Sequence, residues 1–157
     1  MSDDLKADVL AAYEAALPTR VMGFFREHRP LSNFHLETFE WSGMTWPSSE
    51  NAYQAAKAPG SEWLKFAKMS PGDSRKAGQL VKIDKVDWDS RKYDVMKSVL
   101  IEKFNQSPIA RKVLVGTGDA HLEECNWWGD RWFGTVRGYG ENNLGKILMD
   151  IRKTLNG

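Results

Sequence analysis

Cysteine is almost absent from this 157-residue chain. Cys125 stands alone, so no internal disulfide can form, and a reducing compartment is the expected environment. Histidine is equally scarce: His28, His35 and His121 are scattered without metal-ligand spacing, so neither a metal site nor a cofactor is expected. Charge of one sign is also missing, with 22 Lys plus Arg against 21 Asp plus Glu. That balance excludes attraction to nucleic acid or an anionic membrane by a global field and leaves only local contacts. No apolar run approaches the ~20 residues needed to cross a bilayer. The opening Met-Ser-Asp-Asp is acidic where a signal or transit peptide is basic, so an intracellular protein, cytoplasmic or nuclear, with no membrane association is expected. A phosphate loop, a Gly-x-Ser-x-Gly elbow, a Cys–His pair with a plausible base and a zinc motif are all missing, which disfavours nucleophilic serine and metal chemistry.

Aromatic residues, by contrast, are plentiful: seven Trp, four Tyr and seven Phe. Trp41, Trp46, Trp127, Trp128 and Trp132 lie in or near segments that read as loops, where they either wedge short connections against a core or stack on a flat ligand. The chain shows no repeat, low-complexity tract or interdomain linker, and its length suits one core. Leu5, Val9, Tyr13 and Leu17 predict a helix over 3–17, ended by Pro18. Residues 21–46 lose helical period, and Trp41-Ser-Gly-Met44 separates two short strands, so β-structure is expected only here. From Pro47 onward helices follow one another. The first is capped by Ser48 or Ser49 and runs to about Ala58; another carries Trp63, Phe66 and Ala67; a third starts at Ser70-Pro71. A long helix is predicted from Asp87, as cap, to Asn105, with Tyr93, Met96, Leu100 and Phe104 as its apolar stripe. Ser107-Pro108 starts a helix that ends at Gly116, and a last helix begins at Asn142 or Asn143. Residues 117–141 mix aromatics, glycines and charges without period and read as a long functional loop. The expected fold is mainly α within the α+β class, a compact helical domain over 21–157 with a small N-terminal β-hairpin or short sheet, preceded by a packed helical extension over 1–20.

Three constellations can carry chemistry. Glu50 falls in the first turn of its helix, where free backbone N–H groups and the dipole favour a carboxylate. Gln54 follows at i+4 and Lys57 at i+7 on the same face, while Ala52, Ala55 and Ala56 let neighbours approach on the others. Periodicity alone leaves that face open between a solvated Glu-Gln-Lys stripe and a site. Asn126 to Gly134 sets Asp130 among Trp127, Trp128, Arg131 and Trp132, either as a carboxylate tuned by a partly dry setting or as a turn cap paired with Arg131. Gly138-Tyr-Gly140 leads into the Asn142-Asn143 helix start, whose N–H groups either hold a phosphate or merely follow a flexible turn. Separated carboxylates, a lysine and aromatics suit cleavage of a glycosidic bond through an oxocarbenium-like transition state.

At these residues the sequence resembles the NADAR family, named for a link to NAD and ADP-ribose. The match begins with Phe24-Phe25 and Leu31-Ser32-Asn33-Phe34 and runs through Trp46-Pro-Ser-Ser-Glu-Asn-Ala-Tyr-Gln-Ala-Ala-Lys57. It continues with Arg75-Lys-Ala-Gly78, Trp88, Trp128-Gly-Asp130 and Asn143-Leu-Gly-Lys-Ile-Leu-Met149 with Arg152. The resemblance implies a mainly helical domain and an N-glycosidase that cleaves a ribosyl C1–N bond. Its substrate is expected to be ADP-ribosylated guanine in DNA or RNA, with ribosylamine intermediates of riboflavin biosynthesis as the alternative. A non-catalytic ADP-ribose-binding module is the remaining alternative. The carry-over assigns Glu50, Asp130 and Lys57 to catalysis and Asn33, Phe34, Trp46, Trp88, Trp128, Arg131, Asn143 and Gly145 to substrate binding. It implies no cofactor and no obligate protein partner.

Overall fold

The computed structural model describes residues 2–156. In chain order these form α1 (Ser2–Ala16), β1 (Arg20–Met22), a 3-10 segment (Arg26–Leu31), β2 (Phe39–Trp41), β3 (Met44–Trp46) and α2 (Ser49–Ala55). A 3-10 turn (Gly60–Glu62) follows, then α3 (Trp63–Ala67), α4 (Pro71–Gln79), α5 (Lys85–Gln106), α6 (Pro108–Gly116), β4 (His121–Glu123) and α7 (Asn143–Asn156). The fold is α+β and mainly helical, as the sequence predicts. It resolves into two compact units, residues 1–32 with 112–157, and residues 33–111.

In the first unit β1 pairs in parallel with β4, Val21 opposite Leu122. The β-structure is therefore not confined to 21–46. A three-residue strand is too short to show a period of two, and its partner lies about a hundred residues away, so nothing local marks His121 to Glu123 as a strand. α7 lies on β4 with Leu144, Ile147, Leu148 and Ile151 buried. Gly145 makes that approach possible, since a Cβ there would sit 2.2 Å from the Leu122 carbonyl oxygen. α1 packs on β1 through buried Tyr13, whose hydroxyl donates to the Phe25 carbonyl at 2.9 Å.

In the second unit β2 and β3 form the expected hairpin, with Trp41 opposite Met44. Its two-residue turn needs positive φ at both positions, and Ser42 (52°) and Gly43 (82°) supply it. Phe39 and Trp46 from the hairpin join Ala52, Ala55, Phe66 and Val99 in the core. α5 starts earlier than predicted: Asp84 is its cap, accepting from the Asp87 amide at 3.1 Å, while Asp87 lies in the first turn and pairs with Arg91. Both aspartates satisfy a cap-spacing rule, and tertiary packing selects between them. The start of α6 is capped from a distance, because Glu37 accepts from the amides of Ile109 (2.8 Å) and Ala110 (3.0 Å).

Candidate functional site

α2 is the centre of the second unit. Ser48 caps it by accepting from the Asn51 amide, and all seven of its residues are buried. Its small residues Ala52 and Ala55 face the core, which lets α3, α4 and α5 pack closely around it. Its polar residues are tied down as well. Ser49 Oγ donates to Asn33 Oδ1 at 2.7 Å, the Glu50 amide donates to the Asn33 carbonyl at 3.0 Å, and Asn51 Nδ2 donates to the carbonyls of Phe66 and Met69. The solvated-stripe reading of this face is thereby excluded.

Glu50 is 3% exposed. Its Oε1 accepts from Gln54 Nε2 and from Arg75 Nε, both at 3.1 Å. No side chain or amide among the described residues donates to Oε2. A buried carboxylate normally fills its acceptor positions, whereas here one oxygen is clamped and the other has no donor among the described residues. Arg75 comes from α4, and the ring of Phe34 lies 4.8 Å from its guanidinium carbon. Gly78, one turn further along α4, leaves room for the Gln54 amide; a Cβ there would lie 1.9 Å from Gln54 Oε1.

Lys57 is not on α2 itself, which ends at Ala55; the lysine follows in the turn after it, with its amide donating to the Gln54 carbonyl. Its ammonium lies 5.7 Å from the Tyr53 ring centre and 5.8 Å from that of Trp88. Burial lowers its pKa below the ordinary lysine value; the Glu50 charge opposes that shift, while Lys92 and Arg75 add to it. Lys57 therefore shares one electrostatic neighbourhood with Glu50 and Arg75. Trp88 is almost wholly buried against Tyr53. Trp46 is fully buried, stacks in the cluster with Trp41 and Trp63, and donates its indole N–H to the Trp41 carbonyl, so it acts as packing behind the hairpin.

The remaining predicted residues lie in the first unit, in a loop that is ordered by hydrogen bonds despite its lack of periodicity. Buried Asn126 donates to the carbonyls of Glu124, Asp130 and Thr135 and accepts from the Asp130 amide. Asp130 Oδ1 accepts from the amides of Trp132 (3.1 Å) and Phe133 (2.9 Å), a turn-capping geometry. Trp128 (44% exposed) and Arg131 present themselves to solvent. The start of α7 is not open for a phosphate. The amides of Asn142, Asn143 and Leu144 donate to the carbonyls of Gly134, Trp132 and Phe133, and Asn143 Nδ2 also donates to Trp132. The returning loop satisfies the donors that sequence reasoning left for a ligand. Cys125 is no nucleophile, since burial pushes its thiol to about 12.

Sequence reasoning passed over Arg75 as a partner of Glu50, although the Arg75-Lys-Ala-Gly78 motif marked its place. A carboxylate buried in a first helical turn calls for a cation from elsewhere in the chain, and only the packing of α4 on α2 identifies it.

Comparison with known proteins agrees with this architecture. The NMR structure of the Escherichia coli protein YbiA superposes with a TM-score of 0.73 over 88% of this chain and 89% of that one, at 29% identity. By sequence, the chain is 32% identical over 136 residues to N-glycosidase YbiA of Escherichia coli, covering 82% of each. It is 33% identical to a riboflavin biosynthesis protein of Vibrio vulnificus, covering 82% of this chain but spanning only 36% of that protein's length. The NADAR domain model matches residues 23–156, which leaves out α1 and β1, and the chain belongs to the NADAR domain family.

Proposed function

We propose that this protein is an N-glycoside hydrolase that cleaves the C1–N bond between a ribose and a base, with Glu50 at the reacting carbon. The observation that carries this reading is the asymmetric environment of Glu50: buried, Oε1 clamped by Gln54 and Arg75, Oε2 without a donor among the described residues. As the C1–N bond breaks, its electron pair leaves with the base, and positive charge grows on C1 and the ring oxygen. A fixed carboxylate oxygen is complementary to that charge. Oε2 then accepts a proton from the water whose oxygen bonds to C1, and that proton ends on the departing base nitrogen, which regenerates the carboxylate. Lys57, half-buried and with a lowered pKa, assists as a charge or, in its neutral form, as an amine that condenses with the C1 aldehyde of an opened ribose, releasing water and forming an imine that water later hydrolyses.

Asn33, held by Ser49 and Glu50, positions the α2 start, and Phe34 and Trp88 supply aromatic surface to Arg75 and Lys57. In the first unit, Asp130 is proposed to act with its loop, and the exposed Trp128 and Arg131 are candidates for base stacking and anion pairing. Asn143 and Gly145 serve by shaping that loop and the α7 contact.

Two substrates fit the reaction. One is ADP-ribosylated guanine in nucleic acid, as read from the family resemblance; the other is a small ribosylamine of the riboflavin route. Two observations favour the second: the α7 amides that a diphosphate would use are already bonded, and a relative matched over most of this chain carries a riboflavin biosynthesis name. The protein is incubated separately with an ADP-ribosylated guanine oligonucleotide and with the ribosylamine intermediate, and released base is measured by chromatography. The small substrate is expected to disappear faster, and Glu50→Gln to lose turnover with its circular dichroism unchanged. Retention of full turnover by Glu50→Gln would falsify the assignment of Glu50, and absence of base release from either substrate would favour a reader that binds ADP-ribose without cleaving it.

A further inference from the structure

Arg75 uses only part of its guanidinium on Glu50. The bond to Oε1 comes from Nε alone, and no described residue accepts from either Nη. The side chain is 38% exposed, and Nε is the atom that meets the buried carboxylate. The Phe34 ring, 4.8 Å from the guanidinium carbon, covers one flat side and restricts rotation of the plane. A partly exposed guanidinium anchored through Nε, with no described acceptor on either Nη, keeps a two-donor edge for bidentate capture of an oxyanion.

The surrounding charge has the same sign preference. Glu50, Lys92 and Arg75 each act electrostatically on Lys57, with Glu50 as the carboxylate among three cations. Asp89 pairs with Lys92 at 3.1 Å, which leaves that group with a surplus of positive charge in a chain that is nearly neutral overall. A neutral nucleoside gains nothing from such a surplus, whereas an anion does.

We propose that Arg75 is a specificity-determining residue that binds a phosphoryl group on the 5′ oxygen of the substrate ribose, coupling recognition of that phosphate to the orientation of Glu50. This rests on the reading of Glu50 as the residue at C1. One ribose then spans the pair, with its C1 at the carboxylate and its 5′ phosphoryl at the Nη edge. The chemistry is shared by a ribose 5-phosphate ester and by ADP-ribose, in which the same oxygen carries a diphosphate.

Binding of ribose, ribose 5-phosphate and ADP-ribose to the full chain is measured by calorimetry or ligand-observed NMR, which requires no turnover. Wild type is expected to prefer ribose 5-phosphate over ribose by tenfold or more. Arg75→Gln is expected to bring that ratio close to one, and Arg75→Lys, a point charge without the fork, to keep only part of it. Circular dichroism identifies any variant that fails to fold, and competition of inorganic phosphate against ribose 5-phosphate on wild type gives the same answer without mutation. Equal affinity of wild type for ribose and ribose 5-phosphate, or a ratio that Arg75→Gln leaves intact, overturns the proposal. ADP-ribose binding tighter than ribose 5-phosphate assigns the phosphoryl to a diphosphate; weaker binding assigns it to a monoester. Either outcome is compatible with Arg75 as the contact. If the hydrolase reading were wrong but this one right, the phosphate preference would remain while no base is released.

Discussion

Gly78→Ala tests the Glu50 clamp without replacing either residue that donates to it. The new methyl would lie 1.9 Å from Gln54 Oε1, 2.7 Å from Cδ and 3.1 Å from Cβ of the same side chain. The first two atoms can swing away, but Cβ is fixed to α2, so the amide must rotate out of its place beside Glu50. Alanine gains about 1 kcal/mol of helix propensity over glycine, while overpacking of this kind costs about 1–3 kcal/mol. Loss of the bond from Gln54 Nε2 to Glu50 adds about 1.5–3 kcal/mol, the range for a hydrogen bond to a charged group. The net expectation is a loss of about 1.5–5 kcal/mol in urea denaturation. If the clamp matters at the transition state, kcat falls roughly 10- to 100-fold, following the conversion of about 1.4 kcal/mol per tenfold. The double variant Gln54→Ala with Gly78→Ala removes the clash, so it should regain stability while staying as slow as Gln54→Ala alone, a non-additivity that identifies the shared contact. A Gly78→Ala protein as stable and as fast as wild type would show that Gln54 is not held by this glycine.

Other perturbations address the remaining groups. Lys57, whose amine is neutral at a lower pH than an ordinary lysine, is expected to be trapped by borohydride on a ribose aldehyde, with trapping that rises with pH and disappears in Lys57→Met; intact-mass measurement without any adduct on wild type refutes a covalent role. Burial raises the Glu37 pKa, but hydrogen bonds from Ile109, Ala110 and His35 outweigh it, and the folded value lies below the ordinary 4.5. Its contribution is therefore complete above pH 4.5 and lost as pH falls through the folded value. Glu37→Gln should cost about 1–2 kcal/mol at pH 7, by the scale of a weakened buried hydrogen bond, and the difference in urea midpoint should shrink with acidification. Asp130→Asn preserves an acceptor for the Trp132 and Phe133 amides, so it should fold normally; unchanged kcat in that variant would confine Asp130 to a structural role.

The legible part of this molecule was its periodic part. The stripe of Tyr93, Met96, Leu100 and Phe104 and the Trp41-Ser-Gly-Met44 turn specify their elements locally, because four-residue spacing and positive-φ positions depend on neighbours in sequence. Ser48 and Ser70 also cap the helices they were expected to cap. What escaped was set by distant partners. His121 to Glu123 becomes a strand only because β1 lies beside it, and Asp84 displaces Asp87 as cap although both have suitable side chains. Glu50 was identifiable as a first-turn carboxylate, but its burial, its Arg75 partner and the exclusion of Lys57 from α2 depend on how three other helices enclose that segment. The α7 start was open between a phosphate site and a plain turn, and the packing decides how its amides are used: the Trp132 to Gly134 carbonyls return to those of Asn142, Asn143 and Leu144.

The enclosure of α2 has a consequence for how activity is lost. A helix of seven residues has no stability of its own in water, and every residue of this one is buried. α2 therefore does not leave its place by local fraying; it is released only when the surrounding core opens. Heat inactivation and melting of residues 33–111 should then coincide as one cooperative event, and α2 amides should exchange with deuterium at the rate of that opening. Such an enzyme loses its activity all at once, with no weakened intermediate on the way.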